Sequence, residues 1–143
     1  MIKEQDVIRT KAPFPNVSSN LALNAHMYIC GKDTAPHYGF IKCQTLKPYM
    51  LNKRIITHYV DEAADATRNP FSRTSRIDCD KLFVSYAVHY DDRLKTTTRP
   101  DIYGELYHKV KKTLTSHNYQ TIAMDEEKLV ALNALISKIA NDK

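Results

Sequence analysis

The stretch SRIDCDKLF, residues 75–83, decides how this chain is read. As a strand it divides by parity, because successive side chains point to opposite faces. Ile77, Cys79 and Lys81 fall on one face, and Arg76, Asp78 and Asp80 on the other. One face is mostly apolar; the other sets a cation among carboxylates. Half-buried antiparallel strands routinely turn such a charged face to solvent, and that is the expectation for Arg76 and Asp78.

Working outward, VSYAVHY (84–90) continues this stretch, as one long bent strand or two short ones. Upstream, AHMYICG (25–31) and GFIKCQTL (39–46) alternate and predict an antiparallel hairpin across a turn at Pro36. Met27 and Ile29 share one face of the first; His26, Tyr28 and Cys30 share the other. DVIRTKA (6–12) alternates weakly, with Val7 and Ile8 on opposite faces, until Pro13 and Pro15 stop it. RIITHYV (54–60) reads as a fourth strand. Residues 16–24 and 47–52 read as loops. Residues 61–74 form a longer polar loop carrying Arg68 and Arg73, a natural place for a binding surface.

From Pro100 the period changes to that of a helix, with Ile102, Leu106, Val110 and Leu114 recurring. Pro100 suits a first helical turn and Lys109, Lys111 and Lys112 the far end. Residues 116–120 read as a turn. Residues 125–140 carry the strongest helical pattern, with Asp125 as N-cap and Leu129, Leu132, Leu135, Ile136 and Ile139 as an apolar stripe. Strands first and helices last predict an α+β domain.

The 143 residues suit a single domain, residues 1–143. No apolar run is long enough to span a bilayer, and the N-terminus lacks a signal core, so a cytoplasmic location is expected. A net charge of +5 and a pI near 9.1 favour an acidic or polyanionic partner. Cys30, Cys43 and Cys79 are odd in number and widely spaced, which predicts buried reduced thiols. Pairing one of them with His26 around zinc lacks the close ligand spacing of such sites. No glycine-rich phosphate loop is present.

Several short stretches resemble the MazF/PemK/Kid-type toxins of bacterial toxin–antitoxin systems. These are the opening Asp-Val-Ile strand followed by Pro13-Phe14 and a loop serine, the strand AHMYIC, KCQTLK, and IDCDKLF, which is similar to an apolar-x-Cys-Asp-Gln stretch of that family. The final helix also fits. The departures are specific. Ala25-His26 stands where the family has Arg-Pro, the loop glycines are missing, and Lys81 replaces the glutamine. Asp78 stands where some members carry arginine. Residues 92–117 look like a helical insertion.

The resemblance implies a small SH3-like (Kid/PemK-type) antiparallel β-barrel with C-terminal helices. It implies a homodimer, an acidic antitoxin partner, and cleavage of single-stranded mRNA without metal or cofactor. Such cleavage needs a base for the ribose 2′-OH, an acid for the leaving oxygen, and donors for the phosphorane. Carried over by position, Thr45 becomes the phosphate donor and Asp80 the base or orienting carboxylate. Arg76, on the Asp80 face, replaces the missing arginine, and His26 serves as acid or base. Arg68, Arg73, Lys47 and Lys81 would hold the RNA backbone, and Tyr49 would stack on a base. Tyr28, Tyr38 and Tyr59 lie near the same expected surface. A solvated ion pair for Arg76, a hydrogen-bonded histidine at 26 and a strand-end threonine at 45 need no function. The rival class is a barrel that keeps the fold, loses catalysis, and binds RNA or another protein.

Overall fold

A computed structural model describes residues 1–34, 37–52 and 56–139. The chain is α+β. Its main sheet is mostly antiparallel, in the order β1-β2-β3-β5-β4. These strands are β1 (Val7–Thr10), β2 (His26–Lys32), β3 (Tyr38–Thr45), β4 (Tyr59–Glu62) and β5 (Ser75–Asp78). A further strand, β6 (Lys81–Ser85), pairs with the opposite end of β3 from β5. The predicted hairpin is β2–β3, with Met27 beside Cys43 and Ile29 beside Ile41. The stretch 75–83 is therefore two strands sharing one partner, interrupted at Cys79-Asp80. Among the described residues, no ladder joins β4 or β6 back to β1, so the sheet stays open. The fourth strand lies later than expected, at 59–62; residues 54 and 55 of that expectation fall outside the described residues.

Both faces of the sheet are covered, which explains why Val7 and Ile8 are both buried. On one side Val7, Ile29, Ile41, Ile77, Leu82 and Val84 pack against Leu106, Tyr107, Val110 and Leu114. Those four belong to α3 (Gly104–Thr115). The segment resembling an insertion thus supplies five of the fifteen buried residues of this core. On the other side Ile8, Tyr28, Cys30, Phe40 and Phe83 meet Met124, Leu129 and Ile136. Helix α3 begins at Gly104 rather than Pro100, because 100–102 runs extended beside the start of β1. Val7 N–H donates to Pro100 O at 2.8 Å and Ile102 N–H to Gln5 O at 3.1 Å.

The chain after α3 departs most from its periodicity. The expected turn over 116–120 ends at Gln120, where β8 (Gln120–Ala123) begins, parallel to β6. The expected helix over 125–140 stops early, as α4 (Glu126–Leu132). Asp125 is its N-cap, accepting from Lys128 N–H at 3.0 Å. Buried Asn133 ends it. Its amide donates to the carbonyls of Leu129 and Lys11, both at 2.8 Å, and accepts from Thr10 Oγ1 at 2.7 Å and Lys11 N–H at 2.9 Å. Beyond it, β9 (Ile136–Lys138) pairs with β7 (Val88–Tyr90). Two expected loops contain short helices, α1 (Asn20–Leu23) and α2 (Pro48–Asn52). All three cysteines are free and buried, and burial pushes their thiols up, Cys79 to about 12. Among the described residues, no helix is long and apolar enough to cross a membrane.

Candidate functional site

Strand register explains how the charged residues meet. Tyr28 lies beside Lys42, and Asp78 beside Tyr59. One row further along, Thr10 lies beside His26, Gln44 beside Arg76, and Arg76 beside Asp61. Parity keeps these residues on one sheet face. They continue the apolar face of Ile8, Tyr28 and Phe40 as a polar end.

That end is not solvated, which corrects the expectation for Arg76 and Asp78. Arg76 is 5% exposed and Asp78 is fully buried. The Arg76 guanidinium donates to both Asp61 carboxylate oxygens at 2.8 Å and to Met50 O of α2 at 3.2 Å. It also lies 3.6 Å over the Tyr59 ring. Asp78 accepts from Asp80 N–H at 2.9 Å, and its other oxygen sits 3.4 Å from Lys42 Nζ and 3.5 Å from Lys81 Nζ. Arg76 therefore fastens α2 onto the sheet.

The largest cleft, about 510 Å³, opens between β1–β3 and α2. Arg9, His26, Thr45, Lys47, Tyr49 and Ser72 are among its lining residues. A smaller extension of about 170 Å³ adds Lys42, Ile56, Arg76 and Lys81, and shares Gln44, Tyr49 and Met50 with the first. Among the described residues, no carboxylate lines either part. Among the described residues, Arg9 and Lys47 make no ion pair there, whereas Arg76 and Lys42 have acidic partners. His26 is half-buried. Its Nδ1 lies 2.9 Å from Asn24 O, which can only accept, so Nδ1 carries the proton and Nε2 the lone pair. Burial lowers its pKa below the usual value, helped by the charges of Lys42 and Arg9 and opposed by the Asn24 carbonyl. The neutral ring is thus poised as a base.

The other positions taken from sequence scatter. Asp80 does not line the cleft. Its carboxylate accepts from Thr57 N–H at 2.7 Å, His58 N–H at 2.9 Å, Thr57 Oγ1 at 3.0 Å and His58 Nδ1 at 2.9 Å. Burial alone would raise its pKa; these hydrogen bonds outweigh burial and hold it at about 2. Arg68 turns to Glu62 at 2.7 Å and lies 4.3 Å from the Tyr103 ring centroid, bracing α3. Arg73 is exposed, on the loop that lends Phe71 and Ser72 to the cleft. Tyr28 and Tyr38 are buried rather than at an open surface. The structure thus gathers His26, Thr45, Lys47 and Tyr49 in the main cleft and Arg76 and Lys81 in its extension. Sequence reasoning missed Arg9, which sits on the weakly alternating first strand, and His58, whose ring touches Asp80. Comparison with known protein families and with curated proteins finds no match to this chain.

Proposed function

We propose that this chain binds single-stranded RNA along the cleft between β1–β3 and α2. The observation that carries this reading is that Arg9 and Lys47 line the main cleft with no carboxylate among its described lining residues, while the cations of its extension, Lys42, Arg76 and Lys81, face Asp78 and Asp61. Arg9 and Lys47 suit phosphates, and the exposed ring of Tyr49 suits base stacking. The resemblance to MazF/PemK/Kid toxins adds an SH3-like barrel ancestry, a homodimer, and an acidic antitoxin segment competing for the same cations. The sharing of β3 by β5 and β6 across a bend supports that kinship.

The His26 tautomer favours a second, stronger reading, in which the chain is a metal-independent endoribonuclease. Nε2 takes the 2′-OH proton, the 2′-oxygen attacks phosphorus, and the 5′-oxygen leaves with a proton from water. Arg9, Lys47 and Thr45 stabilise the phosphorane charge.

The test is anisotropy of a labelled mixed-sequence RNA across a salt series. Arg9→Ala and Lys47→Ala should each reduce the slope of log affinity against log salt by about 0.7. Tyr49→Ala should weaken binding at every salt concentration. Absence of salt-dependent binding by the wild type refutes the RNA reading. Incubation in EDTA separates the two readings: cleavage lost in His26→Ala supports catalysis, and intact RNA leaves the binding module.

A further inference from the structure

Away from the cleft, one nitrogen from each of His58 and His117 and one oxygen of Asp80 lie within 4.8 Å of one another. None of the three lines either part of the cleft. They come from separate segments: the approach to β4, the break between β5 and β6, and the turn after α3. We propose that these residues form a zinc-binding site that clamps the three segments together and leaves a coordination position open to solvent.

His117 already makes the second-nitrogen contact of a metal-ligating histidine. His117 Nε2 lies 2.8 Å from Cys79 O, an acceptor only, so Nε2 holds the proton and Nδ1 presents its lone pair. His58 Nδ1 shares a proton with Asp80 Oδ1 across 2.9 Å. The ion takes that proton's place, and the ring proton moves to Nε2, so the ring stays neutral. Asp80 supplies the anionic ligand. Two imidazoles and one carboxylate form a borderline donor set suited to zinc rather than to calcium or magnesium, which prefer all-oxygen sites. Zinc bonds of about 2.0–2.1 Å in a tetrahedron place ligand atoms roughly 3.3 Å apart. His58 Nδ1 and Asp80 Oδ1, now 2.9 Å apart, therefore have to separate slightly to admit the ion. The rings now stack at 3.6 Å and 10°, with in-plane lone pairs that do not converge. His58, whose side chain is 43% exposed, is the ring that turns to open the stack.

The experiment uses the full chain stripped with EDTA and titrated with zinc chloride at neutral pH by calorimetry, beside thermal unfolding and the visible spectrum with cobalt(II). The expected result is one zinc per chain, an unfolding midpoint that rises with zinc and returns on chelation, and cobalt bands without thiolate charge transfer. His117→Gln keeps an N–H for the Cys79 carbonyl but removes the ring, and should weaken zinc at least tenfold. His58→Gln should do the same, and serves alone should the first variant not fold. His108→Gln, on the exposed face of α3, should leave affinity unchanged. No zinc bound, a thiolate band, or affinity unchanged in the site variants overturns the proposal.

Discussion

Replacing Lys42 by methionine tests whether Lys42 and Asp78 form one buried ionic unit within the sheet. The Lys42 side chain is 11% exposed and Asp78 not at all, with 3.4 Å between Nζ and Oδ2. Methionine fills nearly the same space, so packing changes little while Asp78 loses its buried counter-charge. Breaking such a pair from one side costs about 3–5 kcal/mol. Lys81, 3.5 Å from the same oxygen and more exposed, recovers part of this, which places the expected loss at about 3 kcal/mol. Asp78→Asn should cost a similar amount, since it strands Lys42 while keeping an acceptor for Asp80 N–H. The double variant should cost less than the sum, with a coupling of about 2 kcal/mol. Urea unfolding of the four proteins at pH 7 gives the cycle. Additive losses, or a single variant costing under 1 kcal/mol, would refute the view that the two charges form one buried unit.

Asn133→Ala should destabilise by about 2–3 kcal/mol, since the polar groups of Thr10, Lys11 and Leu129 lose a shared partner; urea midpoints check this. Gly39→Ala would place a Cβ 2.9 Å from Leu82 Cδ2 and should cost about 1–2 kcal/mol. Thermal unfolding should show a smaller cost in a Leu82→Ala background, and an equal cost in both backgrounds would contradict the clash. For acid unfolding, the folded Asp80 pKa of about 2 lies below its unfolded value. Its contribution is complete above about pH 4 and fades as pH falls toward 2. Asp80→Asn should therefore be less stable than wild type at neutral pH, with the gap closing over that window; a constant gap would place the effect elsewhere.

Where periodicity met a real core face, the chain was legible before the fold was seen. The β2–β3 hairpin, the apolar face of α3 and the buried cysteines all follow from alternation or helical spacing. Parity also grouped Arg76 with Asp78 correctly. It could not say what lay over them, because parity assigns a face and not its cover. That cover is α2, five residues inside an apparent loop around Pro48, held by Arg76 to Met50. The run from 125 to 140 misled for a related reason. Leu129 and Ile136 do both reach the core, at helical spacing. Yet four hydrogen bonds at Asn133 reward ending the helix there, and Ile136 arrives on a strand instead. The approach of His58 to His117 has no signature at all, since the residues lie in unrelated segments and meet only once β4 and α3 are placed.

The same electrostatics decides which end of the cleft faces a polyanion. A basic side chain attracts phosphate in proportion to the charge it has left. Arg76 spends its fork on Asp61, and Lys42 and Lys81 share Asp78, so the extension's cations are already paired and act as scaffold. Arg9 and Lys47 line the main part with His26 and Thr45, and the exposed ring of Tyr49 borders both parts. Of the positions brought in by resemblance, Arg76 braces the cleft through α2 and Asp80 lies outside it, while the side chains that would meet RNA on the proposed reading come from β1, the start of β2, and the junction of β3 with α2. Arg76 holds α2 over the sheet through Met50 O, and that placement in turn gives the cleft its wall. On the proposed RNA-binding reading, the Arg76–Asp61 pair and affinity for RNA are coupled through the position of a single short helix, not through a shared contact with the ligand.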